Sequence, residues 1–275
     1  ASNVLLFTDE KKMKIYVLQV MSVLEQIYCS PKYLYYMVPE SVKTIRKPDG
    51  TQEKIVLIED TAEFKERWEQ SVKALQNAIR TLQNPRDYGA IKAAFVPYPS
   101  IIPAFASIKE YVRMEKPSNM IDVNEKIRKW YWASIFVNRY SSSVETSTAK
   151  DYQSLQRWFK NDDAEPDMID EFRRSLEVVD LVDSNPKGSA IYNAIFNLLV
   201  INEARDWSTF DLPEYSELDD HHIVPISVFK EKAGKSINSI LNRTPLSDST
   251  NRHIIRNRMP NDYIAEMLEN NNEDK

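Results

Sequence analysis

The sequence predicts a mainly α protein: a multi-helix domain over residues 1–206, then a smaller domain of different character over residues 207–275. Three observations point there. Apolar residues recur at helical spacing through most of the first 206 positions. Glycine occurs only 4 times in 275 residues, too few for a turn-rich all-β chain. Near Trp207 the helical periodicity stops and a short stretch dense in His, Asn and Asp begins.

The helical elements follow in order. Residues 9–29 carry apolar side chains almost all round, from Met13 to Ile27, the pattern of a well-buried helix. Tyr33, Tyr35 and Tyr36 follow Pro31 as a short aromatic stretch. Lys47-Pro48-Asp49-Gly50 is a turn signal between two short apolar segments, so a small hairpin or a loose insertion is expected over 42–58. From Asp60 to Asn84 lies the clearest helix. Asp60 and Glu63 make a capping-box pattern, and Phe64, Trp68, Val72, Leu75, Ile79 and Leu82 form one face. Pro97, Pro99 and Pro103 punctuate the entry to a helix reaching about Met114. Further helices are expected over 122–140, 144–159, 168–179 and 189–205. The acidic, asparagine-rich tail after Leu268 reads as disordered.

Composition narrows the function classes. Apolar residues make 42% of the chain and charged residues 28%, as in a globular protein free in water. With Cys29 as the single cysteine, neither a disulfide framework nor a cysteine-rich zinc site can form, and a cytoplasmic location is expected. No apolar run reaches the ~20 residues of a membrane span, no signal-peptide pattern opens the sequence, and no glycine-rich nucleotide loop occurs. The formal net charge is -5, yet Lys230, Lys232, Lys235, Arg243, Arg252, Arg256 and Arg258 crowd one stretch against only Glu231 and Asp248. Such a run is a solvated face or a footprint for phosphates.

That basic run overlaps the most informative stretch. Asp219-Asp220-His221-His222-Ile223-Val224-Pro225 is followed by Asn238, Asn242, Asn251 and Arg252. A His-His pair alone says little, but the ordered set suits phosphodiester hydrolysis. An imidazole with an ordinary pKa of about 6.5 is mostly neutral near pH 7 and can take a proton from water. A hard divalent cation held by nitrogen and oxygen ligands can stabilise the phosphate and the leaving oxygen. Neighbours in a regular strand point to opposite faces, so both imidazoles serve one centre only where the strand ends or bulges.

These residues resemble the HNH (His-Me finger, ββα-metal) nuclease motif. The resemblance implies a small ββα-metal domain over 207–275. It makes His222 the general base, His221 and Asn251 the metal ligands, and Asn242 the brace of the loop between strand and helix. Asp220 would orient His221 from behind. Arg252, Arg256 and Lys235 are candidates for phosphate contacts; no position of the motif calls for His253. The implied cofactor is a divalent metal, Mg2+ or Mn2+, and the implied partner is DNA.

The helical half adds to the likeness. Phe95-Val96-Pro97-Tyr98, the run Trp132 to Ser141, Ala149-Lys150-Asp151 and Ala204-Arg205-Asp206 resemble the C-terminal part of GmrSD-type modification-dependent restriction enzymes. That family joins a ParB-like nucleotide-hydrolysing domain to a C-terminal HNH nuclease and acts in restriction and phage defence. Its Asp-Gly-Gln-Gln-Arg signature is absent from this sequence. The resemblance thus implies an HNH endonuclease. Its alternative is a DNA-binding or partner-docking module, inactive without a ParB-like domain or subunit that this sequence does not contain.

Overall fold

Helices dominate the computed structural model, which describes residues 10–176, 188–212 and 218–271. The chain divides into two compact units. One gathers Ala1–Arg80 with Tyr98–Glu177, the other Thr81–Pro97 with Val178–Lys275.

The first unit begins with α1 (Glu10–Gln26), buried along Tyr16, Val17, Val20, Met21 and Val23. A single turn, α2 (Pro31–Leu34), precedes β1 (Val42–Arg46) and β2 (Gln52–Val56), with Val42 opposite Val56 and Arg46 opposite Gln52, so of the two forms expected over 42–58 the chain takes the hairpin. Its turn is made by Asp49, whose carboxylate accepts the Thr51 N–H at 2.9 Å, and by Gly50 at φ 85°.

Helix α3 (Thr61–Gln83) starts where the capping pattern places it. Asp60 accepts the Glu63 N–H at 2.8 Å. Glu63 reaches back one residue further than a capping box requires, to the Glu59 N–H at 2.8 Å. Helices α4 (Ile102–Glu115), α5 (Met120–Phe136), α6 (Val144–Lys160) and α7 (Asp167–Ser175) complete the unit. Here α4 packs on α1 and α6, and α5 on α6 and α7.

Several of the family-like motifs meet inside this unit. Buried Asp151 accepts from Trp130 Nε1 at 3.0 Å, from Tyr140 Oη at 3.0 Å and from Arg139 Nη2 at 2.6 Å. Tyr98 Oη donates to Asn138 at 2.8 Å. Asp151, in the middle of α6, thus ties down the chain just after α5, a structural duty that spacing alone does not reveal.

In the second unit, α8 (Ala190–Ile201) starts at Ser189, whose Oγ accepts the Tyr192 N–H, and stops four residues short of Arg205. Asn202 and Glu203 end it, Glu203 at φ 57°. Phe196 and Val200 of α8 pack against Phe95 and Leu218. Asn193 and Asn197 donate to the carbonyls of Ala94 and Phe95, each at 3.0 Å. Gly89 is at φ 67°, and a Cβ there would stand 2.4 Å from the Asn197 carbonyl oxygen, so this approach to α8 needs glycine. Segment 81–97 and α8 thus belong with the motif-bearing residues. The division does not follow the composition step at Trp207, because a two-stranded hairpin needs a packed helix to bury its face.

The remaining elements are β3 (Leu218–His222), α9 (Ile226–Ala233), two 3-10 turns over Gly234–Asn238 and Ile240–Asn242, β4 (Arg243–Ser247), a π-helical segment over Thr250–Ile255 and α10 (Pro260–Asn271). The polar run around Lys230–Lys235 is helical for most of its length. The stretch carrying Asn251, expected at the start of a helix, is a π-wound turn separated from α10 by Arg256 at φ 55°. The tail holds helix through Asn271. Residues 272–275 lie outside the described part, as do 177–187, where the helix expected over 168–179 would end.

Candidate active site on the β3–β4 hairpin

Strand register sets the side chains of the motif. β3 and β4 are antiparallel, with His222 opposite Arg243, His221 opposite Thr244 and Asp220 opposite Pro245. Alternation puts Asp220, His222 and Arg243 on one face and His221, Thr244 and Leu246 on the other. α8 covers the first face: Tyr192 Oη donates to Asp220 Oδ2 at 2.6 Å, and Leu218 packs on Phe196. The π-helical segment and α10 cover the second, where Leu246 packs with Ile255, Tyr263 and Met267. His221 is accordingly buried, 6% exposed, whereas His222 is the last residue of β3 and partly open to solvent. Both histidines are still paired with β4, so the strand neither ends nor bulges between them, and their side chains leave opposite faces.

The connection between the strands is closed by Asn242. Its Oδ1 accepts the Val224 N–H at 2.7 Å, and its Nδ2 donates to the carbonyls of Val224 at 3.0 Å and Ile237 at 2.9 Å. The Asn242 carbonyl accepts the Ile223 N–H at 3.0 Å, and Tyr263 Oη donates to the Ile223 carbonyl at 2.8 Å. One amide thus ties together the residues after His222 and the turn before β4.

Around His222 the polar contacts form a chain. Nε2 of His222 lies 3.1 Å from Asn238 Oδ1, and Arg243 Nη2 donates to the same oxygen at 3.3 Å. Arg243 Nη1 donates to Asp220 Oδ1 at 3.1 Å. This ion pair is buried, with side chains 3% and 7% exposed. Asp220, expected behind His221, engages Tyr192 and Arg243 on the His222 face. Burial and the bond to Asp220 push the Tyr192 phenol well above its ordinary pKa, so it stays a donor.

The other predicted residues fall on the segment after β4. Asn251 is the second residue of the π-helical turn, and its carbonyl accepts the Arg256 N–H at 2.9 Å. Arg252 is exposed and pairs with Asp248 at 2.6 Å. Arg256 is exposed, its Nε donating to the His253 carbonyl at 3.0 Å. Lys235 falls in the turn Gly234–Asn238; its side chain lies outside the described part. Arg243, counted in the basic run, is buried in an internal pair and offers no phosphate contact from the surface.

Asp206 anchors the start of this region. It is 2% exposed and accepts from Ser247 N–H at 3.0 Å, Ser247 Oγ at 2.7 Å, Thr250 Oγ1 at 2.6 Å and Ser208 N–H at 2.9 Å. Burial works to raise its pKa, but these hydrogen bonds outweigh it and hold the carboxyl below the ordinary value. Sequence reasoning gives no role to Tyr192, Asn238 or Asp206. Only the Asn238-x3-Asn242 spacing and the Ala204-Arg205-Asp206 likeness point toward two of them.

The donor set can be tested against a divalent cation. Among the described residues no group of three or more His, Cys, Asp or Glu converges as a metal cage. His221 supplies an imidazole on the face covered by the segment that carries Asn251, whose amide offers an oxygen. By donor type alone, an imidazole nitrogen and an amide oxygen suit a hard cation that keeps most of its places for water and phosphate oxygens, and not a closed structural zinc site.

No family model matches the chain, and no solved structure matches it. An uncharacterized protein of Methanocaldococcus jannaschii is 34% identical over 149 residues, 53% of this chain and 26% of that protein. The chain therefore spans about a quarter of the length of the relative it matches. Among the described residues no helix is long and apolar enough to cross a membrane.

Proposed function

We propose that this chain is a metal-dependent HNH-type endonuclease that cleaves DNA phosphodiester bonds, with the second unit as its ββα-metal domain. The observation that carries the reading is local. His222 ends one strand, Asn242 closes the connection to the next with three side-chain hydrogen bonds, and the segment bearing Asn251 follows directly. His222, as the last residue of β3, stands at the open end of the strand, while His221 points to the opposite, buried face toward the segment that bears Asn251.

In this reading His222 takes a proton from the attacking water. The water oxygen bonds to phosphorus, the P–O bond opposite breaks, and the leaving oxygen takes a proton from solvent. His221 and Asn251 would hold the divalent metal, Mg2+ or Mn2+, which when bound stabilises charge on the phosphate and the leaving oxygen. Arg252 and Arg256, exposed on the π-helical segment and just after it, would meet neighbouring phosphates, with Lys235 on the turn before β4. The GmrSD-like motifs support a place in modification-dependent restriction and phage defence.

A second reading is favoured by one fact: the matched relative is far longer than the matched part. In it the chain is a DNA-binding or partner-docking module whose nuclease fold is silent without a ParB-like domain or subunit. Conversion of supercoiled plasmid to nicked or linear form, with Mg2+ or Mn2+ and with an EDTA control, separates the two. EDTA-sensitive cleavage by the purified chain supports the first reading; binding without cleavage supports the second.

A further inference from the structure

We propose that Asn238 is a positioning residue for His222: held by the buried Arg243–Asp220 pair, it fixes the imidazole as the tautomer whose proton-accepting nitrogen is Nδ1. The proposal rests on the reading of His222 as general base and adds the group that orients it.

Donor and acceptor chemistry selects the tautomer. A guanidinium has only donors, so the end of the Asn238 amide that faces Arg243 Nη2 is its oxygen. That fixes the amide orientation, which is otherwise ambiguous. The same oxygen lies 3.1 Å from His222 Nε2, and an oxygen acceptor requires Nε2 to carry the proton. In a neutral imidazole one nitrogen donates and the other accepts, so Nδ1 is the base.

The oxygen is held from behind. Arg243 is paired with Asp220 at 3.1 Å, and Asp220 is bonded to Tyr192 on α8 at 2.6 Å. Burial of the pair leaves the guanidinium little freedom, so Asn238, although exposed, has one preferred orientation. The helix before the motif thereby helps set which nitrogen of the base carries the proton.

The test uses the full chain with 15N-labelled histidine, read by long-range 1H–15N correlation where the rings are neutral. Loss of one pattern in His222→Gln assigns His222. The expected result is an Nε2-protonated His222 in the parent. In Asn238→Leu a second, Nδ1-protonated form emerges and kcat for cleavage drops about tenfold or more, with KM within about twofold. Asn238→Asp keeps an oxygen acceptor and retains the parent pattern. A parent His222 protonated on Nδ1, or Asn238→Leu indistinguishable from Asn238→Asp in both readouts, overturns the proposal. The spectra are recorded without DNA, so a locked tautomer in a chain that never cleaves would sink the nuclease reading and leave the positioning intact.

Discussion

Asn242 and Val224 grip each other through two hydrogen bonds: the Val224 N–H donates to Asn242 Oδ1 at 2.7 Å, and Asn242 Nδ2 donates to the Val224 carbonyl at 3.0 Å. The third bond, to the Ile237 carbonyl, makes this amide the clasp of the whole connection between β3 and β4. Asn242→Ala removes all three. A net value of about 1 kcal/mol per bond predicts a loss of about 2–3 kcal/mol. Urea unfolding measures it, and Asn242→Asp, which turns the donor into an acceptor facing two carbonyls, should cost at least as much.

The buried pair between Arg243 and Asp220 gives a sharper stability prediction. Arg243→Leu leaves the Asp220 carboxylate in a dry site and should cost about 3–5 kcal/mol. The double variant Arg243→Leu/Asp220→Leu should recover most of that, since no uncompensated charge remains. A double-mutant cycle by chemical denaturation reads both values.

Asp206 makes stability depend on acid. Its carboxyl is held below the ordinary value in the folded chain, so its contribution is fully present above the unfolded pKa near 4 and is lost as pH falls through the lower, folded one. Asp206→Asn should flatten this part of the stability-against-pH curve. It should also destabilise the chain at neutral pH by about 2–4 kcal/mol, because Ser247 and Thr250 lose a charged acceptor. Denaturation midpoints from neutral pH downward check both.

In the proposed reading Arg252 and Arg256 meet phosphates and take no part in the chemistry. Each change to Ala should weaken DNA binding at all sequences alike. It should also reduce the slope of log affinity against log salt by roughly 0.9 for each phosphate that is no longer neutralised. Fluorescence anisotropy across a salt series is the measurement. An unchanged slope in the double variant removes both residues from the interface.

Much of the fold is legible in the residues because local chemistry sets it. Asp60 and the stripe from Phe64 to Leu82 write α3 directly, and Lys47-Pro48-Asp49-Gly50 writes the β1–β2 turn. The order His222, Asn242, Asn251 also marks where to look. The rest is set by tertiary packing. Nothing in the apolar pattern of α8 marks Tyr192 as the partner of Asp220. Nothing near Gly89 says that segment 81–97 packs on α8 and so shifts the division of the chain away from Trp207. The basic run is uniform as a string of letters, but Arg243 places its charge inside, and only burial tells it apart from Arg252. The turn carrying Asn251 is π-wound, a choice between neighbouring hydrogen-bond registers that side-chain periodicity does not resolve.

The central claim is that His222 is the base of a nuclease. The most direct measurement is cleavage of supercoiled plasmid by the purified chain and by His222→Ala, side by side with metal, with DNA affinity measured on both. The parent is expected to cut, while His222→Ala binds DNA within about twofold of it and cuts at least about a hundredfold more slowly. Equal cleavage by the two preparations would contradict the claim.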